Sequence, residues 1–214
     1  ELNASAIEAL EQIEHVTGIL PVRYIDVYAE TGRYAAELTI AAVPIDKLSY
    51  IVKLKKGYFP NPDSAMPEII MGKGAAKYFI RKGTEAVPDN YKGPDLDWLG
   101  LNVDFYPGGE WVKEDTSITG PKHYRARVSG IIDGGDKQSE DIYMSEELLD
   151  TIVRRNYALA DQIGILKNDY TKVFVFADSV EQVGAVIETI QDYGFDTVSG
   201  IKRIDQLKAQ QRQQ

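Results

Sequence analysis

The segment that most invites a chemical reading is Gly72-Lys73-Gly74-Ala75-Ala76-Lys77, which follows the apolar run Ile69-Ile70-Met71. A strand that ends in glycines and a lysine can cradle phosphate, because backbone N–H groups at a helix start point at the anion. The spacing defeats that reading. A dinucleotide loop needs a glycine where Lys77 stands, and a nucleotide P-loop needs Gly-Lys-Ser/Thr after a longer loop. Gly72 and Gly74 read instead as a tight strand-to-helix step. The two histidines, His15 and His123, are far apart, without His-x-x-x-His spacing and without any cysteine in the chain, so no zinc set is visible. Asp89, Asp95, Asp97 and Asp104 fall in one stretch but lack the ligand ladder and closing Glu of an EF-hand. A solvated loop is expected there. No Gly-x-Ser-x-Gly elbow occurs, and nothing singles out a carboxylate pair for acid–base work. The expectation is no catalytic residue, no cofactor and no metal.

The residues with most binding potential are aromatic. Tyr91, Trp98, Leu99, Leu101, Phe105, Tyr106 and Trp111 fall within 21 residues and include both tryptophans of the chain. Pro88, Pro94 and Pro107, with Gly93, Gly100, Gly108 and Gly109, argue against long regular elements, so residues 84–121 read as a long loop. Such loops are usually functional or disordered, and these side chains are enough to pin this one down. Leu99, Leu101 and Phe105 are expected to pack. Trp98 and Trp111, each beside charged residues, are expected to face solvent. Tyr91, Trp98, Tyr106 and Trp111 are the candidate partner-contact residues.

The elements that must position these residues follow from periodicity. Ser5-Ala6-Ile7-Glu8 reads as a capping box opening a helix. Ile25, Val27 and Ala29, then Ala36, Leu38, Ile40 and Ala42, alternate on either side of a Thr31-Gly32 turn, a hairpin. Short strands are expected at 68–71, 124–132 and 142–144, with a turn at 133–136. Ser145-Glu146-Glu147 caps a helix reaching about Arg155. The chain ends as βαβ: a strand at 172–177, a capping box at Asp178-Ser179-Val180-Glu181, a helical stripe of Val180, Val183, Ile187 and Ile190 stopped by Gly194, and a strand at 195–199. Ile204 and Leu207 then sit at helical spacing in a polar tail. This predicts an α+β chain of two lobes. Residues 1–52 and 167–214 form one lobe from both chain ends, and 53–166 form an inserted lobe.

Bulk composition narrows the function. Acidic residues outnumber basic ones 33 to 24, for a net charge of −9. Without a Lys/Arg cluster to displace counterions, nucleic acid is excluded as a partner. No apolar run approaches the roughly 20 residues of a membrane span. The chain opens at Glu1 without Met and ends in a Gln-rich tail, which reads as a fragment of a longer chain.

Three segments in order resemble the extracytoplasmic domain of MacB/FtsX-type ABC transporter permeases: Leu54-Lys55-Lys56-Gly57-Tyr58-Phe59 followed by Pro67 through Ala76; Tyr124 through Ile132; and Ile142-Tyr143-Met144-Ser145 with the closing βαβ. The chain departs from the family at His15 to Val22, where an Ile-Pro-Gly-Val-like turn is usual, and in its large aromatic loop. The resemblance implies a porter-like membrane-proximal lobe from both chain ends and a sabre-like outer lobe. It implies a non-catalytic domain on the extracytoplasmic side of the cell membrane. It also implies a separate ATPase domain or subunit, a second permease copy, and a membrane-fusion or cell-wall partner protein. The domain would couple cytoplasmic ATP hydrolysis to export, or pass force to such a partner. The rival readings are a free-standing extracellular ligand-binding or adhesion module, and a small hydrolase.

Overall fold

The structure, a computed structural model, describes residues 2–132, 137–166 and 170–197. In chain order the elements are α1 (Ala4–Glu11), β1 (Val16–Thr31), β2 (Tyr34–Val43), α2 (Ile45–Leu48), β3 (Leu54–Gly57), β4 (Glu68–Gly72), a 3-10 helix (Lys73–Tyr78), β5 (Ile80–Arg81), β6 (Asn102–Pro107), α3 (Glu110–Glu114), β7 (Tyr124–Ile132), a 3-10 turn (Lys137–Glu140), β8 (Ile142–Ser145), α4 (Glu146–Arg155), α5 (Tyr157–Gln162), β9 (Lys172–Ala177), a 3-10 turn (Val180–Gln182) and α6 (Val183–Asp192). They sort into two compact units, Glu1–Val22 with Asp169–Gln214, and Arg23–Asn168.

In the larger unit six strands pair in a closed ring, β1-β2-β8-β4-β7-β6 and back to β1. Closure removes the exposed backbone edges that open sheets must protect. Alternation along each strand fills the interior of a small barrel with side chains. Here that filling is Ile25, Val27 and Ala29 from β1, Ala36, Ile40 and Ala42 from β2, Ile69 and Met71 from β4, Val103 and Phe105 from β6, Ala126 and Val128 from β7, and Ile142 and Met144 from β8. Phe79 and Trp98 join the same cluster, their ring centroids 5.0 Å apart, together with Leu148, Leu149 and Ile152 of α4. Ser145 caps α4 as expected, accepting from the Leu148 N–H at 3.0 Å.

The smaller unit lays α1 and α6 on the β1–β9 ladder, with Leu10, Ile13, Ile19, Val186 and Ile190 at its core. The first helix cap is Asn3, whose side chain accepts from the Ala6 N–H, rather than Ser5. Gly18 and Pro21 lie inside β1. Before α6, Ser179 makes no side-chain cap bond and the helix starts at Val183. Residues 195–197 carry no strand. The remainder of the expected last strand, the 133–136 turn and the tail beyond 200 lie outside the described residues.

The compact units divide at Val22/Arg23 and at Asn168/Asp169, where the sequence reading expects divisions after 52 and 166. The β1–β2 hairpin goes with the middle of the chain because its inward rows complete the barrel, a burial that the chain ends alone do not supply.

Candidate functional site

Residues 102–107 are a strand, not loop, and this decides where the aromatic residues point. Val103, Phe105 and Pro107 turn inward while Asp104 and Tyr106 turn out. Register places Tyr28 of β1 opposite both Glu37 of β2 and Tyr106 of β6. Tyr106 stacks on His123 at 5.1 Å between ring centroids and tilts against Tyr28 at 6.3 Å. The outer wall of the barrel therefore carries a cross-strand row, Glu37–Tyr28–Tyr106–His123. The neighbouring row is Glu30–Asp104–Arg125.

Charge on this wall is largely paired. Lys113 and Lys82 both reach Glu30, and Lys113 lies over the rings of Tyr28 and Tyr106 at 5.5 and 5.8 Å, where an ammonium gains from the ring quadrupole. Asp104 holds Arg125 Nε at 2.8 Å and faces His123 Nε2 at 3.1 Å. Burial alone would raise the Asp104 carboxyl, but the Arg125 and His123 contacts outweigh it and hold the carboxyl below its usual range. Burial, the Glu30 hydrogen bond and the charges of Glu30, Glu110 and Glu37 push the Tyr28 phenol well up. Asp104 is thus a structural ion-pair partner, not part of an oxygen-rich loop. Among the described residues no group of His, Cys, Asp and Glu is arranged to hold a metal.

Of the four candidate contact residues, two sit on this wall or beside it. Tyr106 is half-buried in the row, and Trp111 on α3 is 44% exposed. The other two lie elsewhere. Trp98 is buried at 9% exposure against Phe79. Tyr91 spends its hydroxyl on the Phe79 carbonyl at 2.6 Å. The packing expectation holds for Phe105, fully buried, and for Leu101, which packs on the barrel core, but Leu99 is exposed. The misassigned Trp98 lies beside Asp97, and that neighbour says little, since adjacent residues in an extended segment point opposite ways.

The glycine–lysine segment is a strand-to-helix step, as expected. Gly72 ends β4, its N–H donating to the Asp141 carbonyl at 2.7 Å. Lys77 is ion-paired to Glu140. A groove of about 200 Å³ lies between the 60–67 segment and the start of α4 and includes Glu68 and Glu147. Burial would raise the Glu68 carboxyl, yet the Asn61 N–H at 3.0 Å, Tyr58 and Arg127 Nη2 at 3.1 Å lower it. A carboxyl held ionised in this way is a fastener for the 58–67 segment. Replacing Glu68 with Gln should cost about 2 kcal/mol at neutral pH, the worth of hydrogen bonds to a buried charge. The folded pKa lies below the ordinary 4.5, so this contribution is complete above that pH and is lost as pH falls through the folded value. Urea titrations should show the gap between wild type and variant closing below pH 4.5; a gap that widens there contradicts the assignment.

No protein-family model and no curated protein matches this chain. Solved structures do match. The extracellular domain of the noncanonic ABC-type transporter YknZ from Gram-positive bacteria superposes with a TM-score of 0.53 at 15% identity, over 91% of this chain and 86% of that one. The periplasmic region of MacB from Actinobacillus actinomycetemcomitans superposes with a TM-score of 0.44 at 13% identity, over 92% and 85%. The chain shares the mixed α+β fold of the YknZ extracellular domain. No described helix is long and apolar enough to cross a membrane.

Proposed function

We propose that this chain is the extracytoplasmic domain of an ABC-transporter permease, itself non-catalytic, which couples ATP hydrolysis elsewhere in the transporter to export or to an external partner protein. The observation that carries the reading is the shared fold with a transporter's extracellular domain over nine tenths of this chain. A second feature supports it: both chain ends build one unit. Leu2 bridges to Tyr170 and the Thr171 N–H donates to the Val22 carbonyl at 2.9 Å, while α1 and α6 share one core. Membrane helices attached to both ends would act on a single unit, a simple way to pass motion to an inserted one. In this reading residues 1–22 and 169–214 are the porter-like unit and 23–168 the sabre-like unit. The ATPase, a second permease copy and a membrane-fusion or cell-wall protein are its partners.

The chain has no cysteine, so one placed at Tyr157, 67% exposed, is the single thiol of this domain and a clean reporter once any cysteines in the rest of the intact protein are replaced. A membrane-impermeant maleimide should label Tyr157→Cys in cells whose cytoplasmic membrane is intact. Labelling only after that membrane is opened overturns the reading. The non-catalytic part is tested separately: calorimetric titration of the domain with ATP and magnesium should give no saturable heat, and a micromolar site refutes it.

A further inference from the structure

Trp111 is exposed in a way that a loose surface tryptophan is not. Its indole Nε1–H donates to the Gly108 carbonyl at 3.0 Å. The ring lies against Gly108 and Gly109, at φ +103° and +130°. A Cβ on Gly109 would stand 3.2 Å from the Trp111 Cδ1, and one on Gly108 would stand 3.4 Å from its Cζ2. Val112, fully buried, anchors the same short helix. One edge of the indole is therefore fixed on backbone while 44% of the residue stays open.

The surrounding charge is unbalanced in one direction. Glu37 accepts from the Glu110 N–H at 3.2 Å, and its Oε2 stands 3.7 Å from where a Gly109 Cβ would be. Its carboxylate thus borders the platform that carries the ring. Among the described residues neither Glu37 nor Glu110 has an ion-pair partner. The nearby cations are engaged: Lys113 and Lys82 on Glu30, and Lys122 on the Lys113 and Asp115 carbonyls. Glu30, Glu37, Glu110, Glu114 and Asp115 against Lys82, Lys113 and Lys122 leave a net negative charge beside a preset aromatic face.

We propose that Trp111, Glu37 and Glu110 form a docking site for an arginine side chain presented by a partner protein. A guanidinium stacks flat on indole and donates two parallel hydrogen bonds to a carboxylate, which a compact ammonium does not. The preset ring saves the ordering cost that a mobile tryptophan would incur on binding. The inference deepens the reading of the chain as a partner-contacting extracytoplasmic domain by giving that partner a chemistry.

The test is a titration of the isolated domain followed by the two indole N–H signals in nitrogen-15 NMR, assigned with Trp111→Phe. A tetra-arginine peptide should shift the Trp111 signal saturably, leave that of Trp98 in place, and lose its effect as salt is raised. Tetra-lysine should bind at least threefold more weakly and a Gly-Ser peptide should not bind. In the Glu37→Gln/Glu110→Gln variant, which keeps an acceptor for the Glu110 N–H, affinity for tetra-arginine should fall at least fivefold. No saturable shift at millimolar peptide, an equal response to the Gly-Ser peptide, or undiminished affinity in the double variant each overturns the site. Because this assay needs no membrane and the maleimide assay needs no peptide, failure of one is separable from failure of the other.

Discussion

Trp98→Ala is expected to lower the unfolding free energy by about 4 kcal/mol, the usual range for emptying a large aromatic from a core, whereas Trp111→Ala should cost less than about 1 kcal/mol, as for most surface changes. The two tryptophans sit 13 residues apart in one Pro/Gly-rich stretch and each has an acidic neighbour. Their surroundings differ completely. Trp98 closes on Phe79, which is itself fully buried, and belongs to the cluster that fills the barrel. Removing it leaves a void lined by side chains already held by six paired strands, which can collapse little. Trp111 loses one hydrogen bond to Gly108 and some contact with glycine backbone. Urea denaturation of the two variants decides the matter, with arginine-peptide binding measured in parallel. Equal losses of stability would mean that Trp111 is a structural strap. A stable Trp98→Ala would mean that the loop is not part of the core.

Much of this fold is legible in the residue pattern, and the reasons differ by element. The hairpin shows because Ile25, Val27, Ala29 and then Ala36, Ile40, Ala42 alternate cleanly, and those residues do form one wall of the barrel interior. α4 shows because Ser145 caps it and its buried residues recur at helical spacing. Barrel closure does not show. β1 meets β6 by pairing Val27–Glu30 with Asp104–Pro107, across more than 70 residues of chain, and no local signal encodes a contact at that separation. The division of the compact units at Val22/Arg23 is hidden for the same reason, since the hairpin's partners are distant in sequence.

β6 itself carries a period-two signal in Val103, Phe105 and Pro107 against Asp104 and Tyr106. Flanking Gly100, Gly108 and Gly109 and the terminal Pro107 hid it by marking the segment as loop. That alternation by itself implies the outward placement of Asp104 and Tyr106, and with it their cross-strand partners. The acidic border of Trp111 is a different case. Glu37 and Glu110 are 73 residues apart, and only the β1–β2 and β1–β6 registers bring β2 near α3, which follows β6.

The other large expected effect is at Gly57, where Ala should cost more than about 3 kcal/mol, combining left-handed strain with a backbone clash that cannot relax cheaply. Gly57 ends β3 at φ +78°. A Cβ there would fall 2.0 Å from the Ser129 carbonyl oxygen and 2.8 Å from the Gly130 Cα, both backbone atoms. Those atoms belong to β7, which also pairs with β4, so yielding would disturb the barrel wall. The next residue is tied to the same place twice, by the Tyr58 N–H donating to the Ser129 carbonyl and the Ser129 hydroxyl donating to the Tyr58 carbonyl, both at 2.9 Å. Gly100 supplies the internal control: its φ is +86°, yet nothing lies within 4 Å of its Cβ position. Gly100→Ala therefore pays only the left-handed cost of about 1–2 kcal/mol. Denaturation midpoints of the two variants separate strain from overlap, since strain is common to both and overlap belongs to Gly57 alone. If Gly57→Ala is no worse than Gly100→Ala, β3 is not clamped on β7 as described, and the Tyr58–Arg127–Glu68 contacts that depend on that clamp must be redrawn.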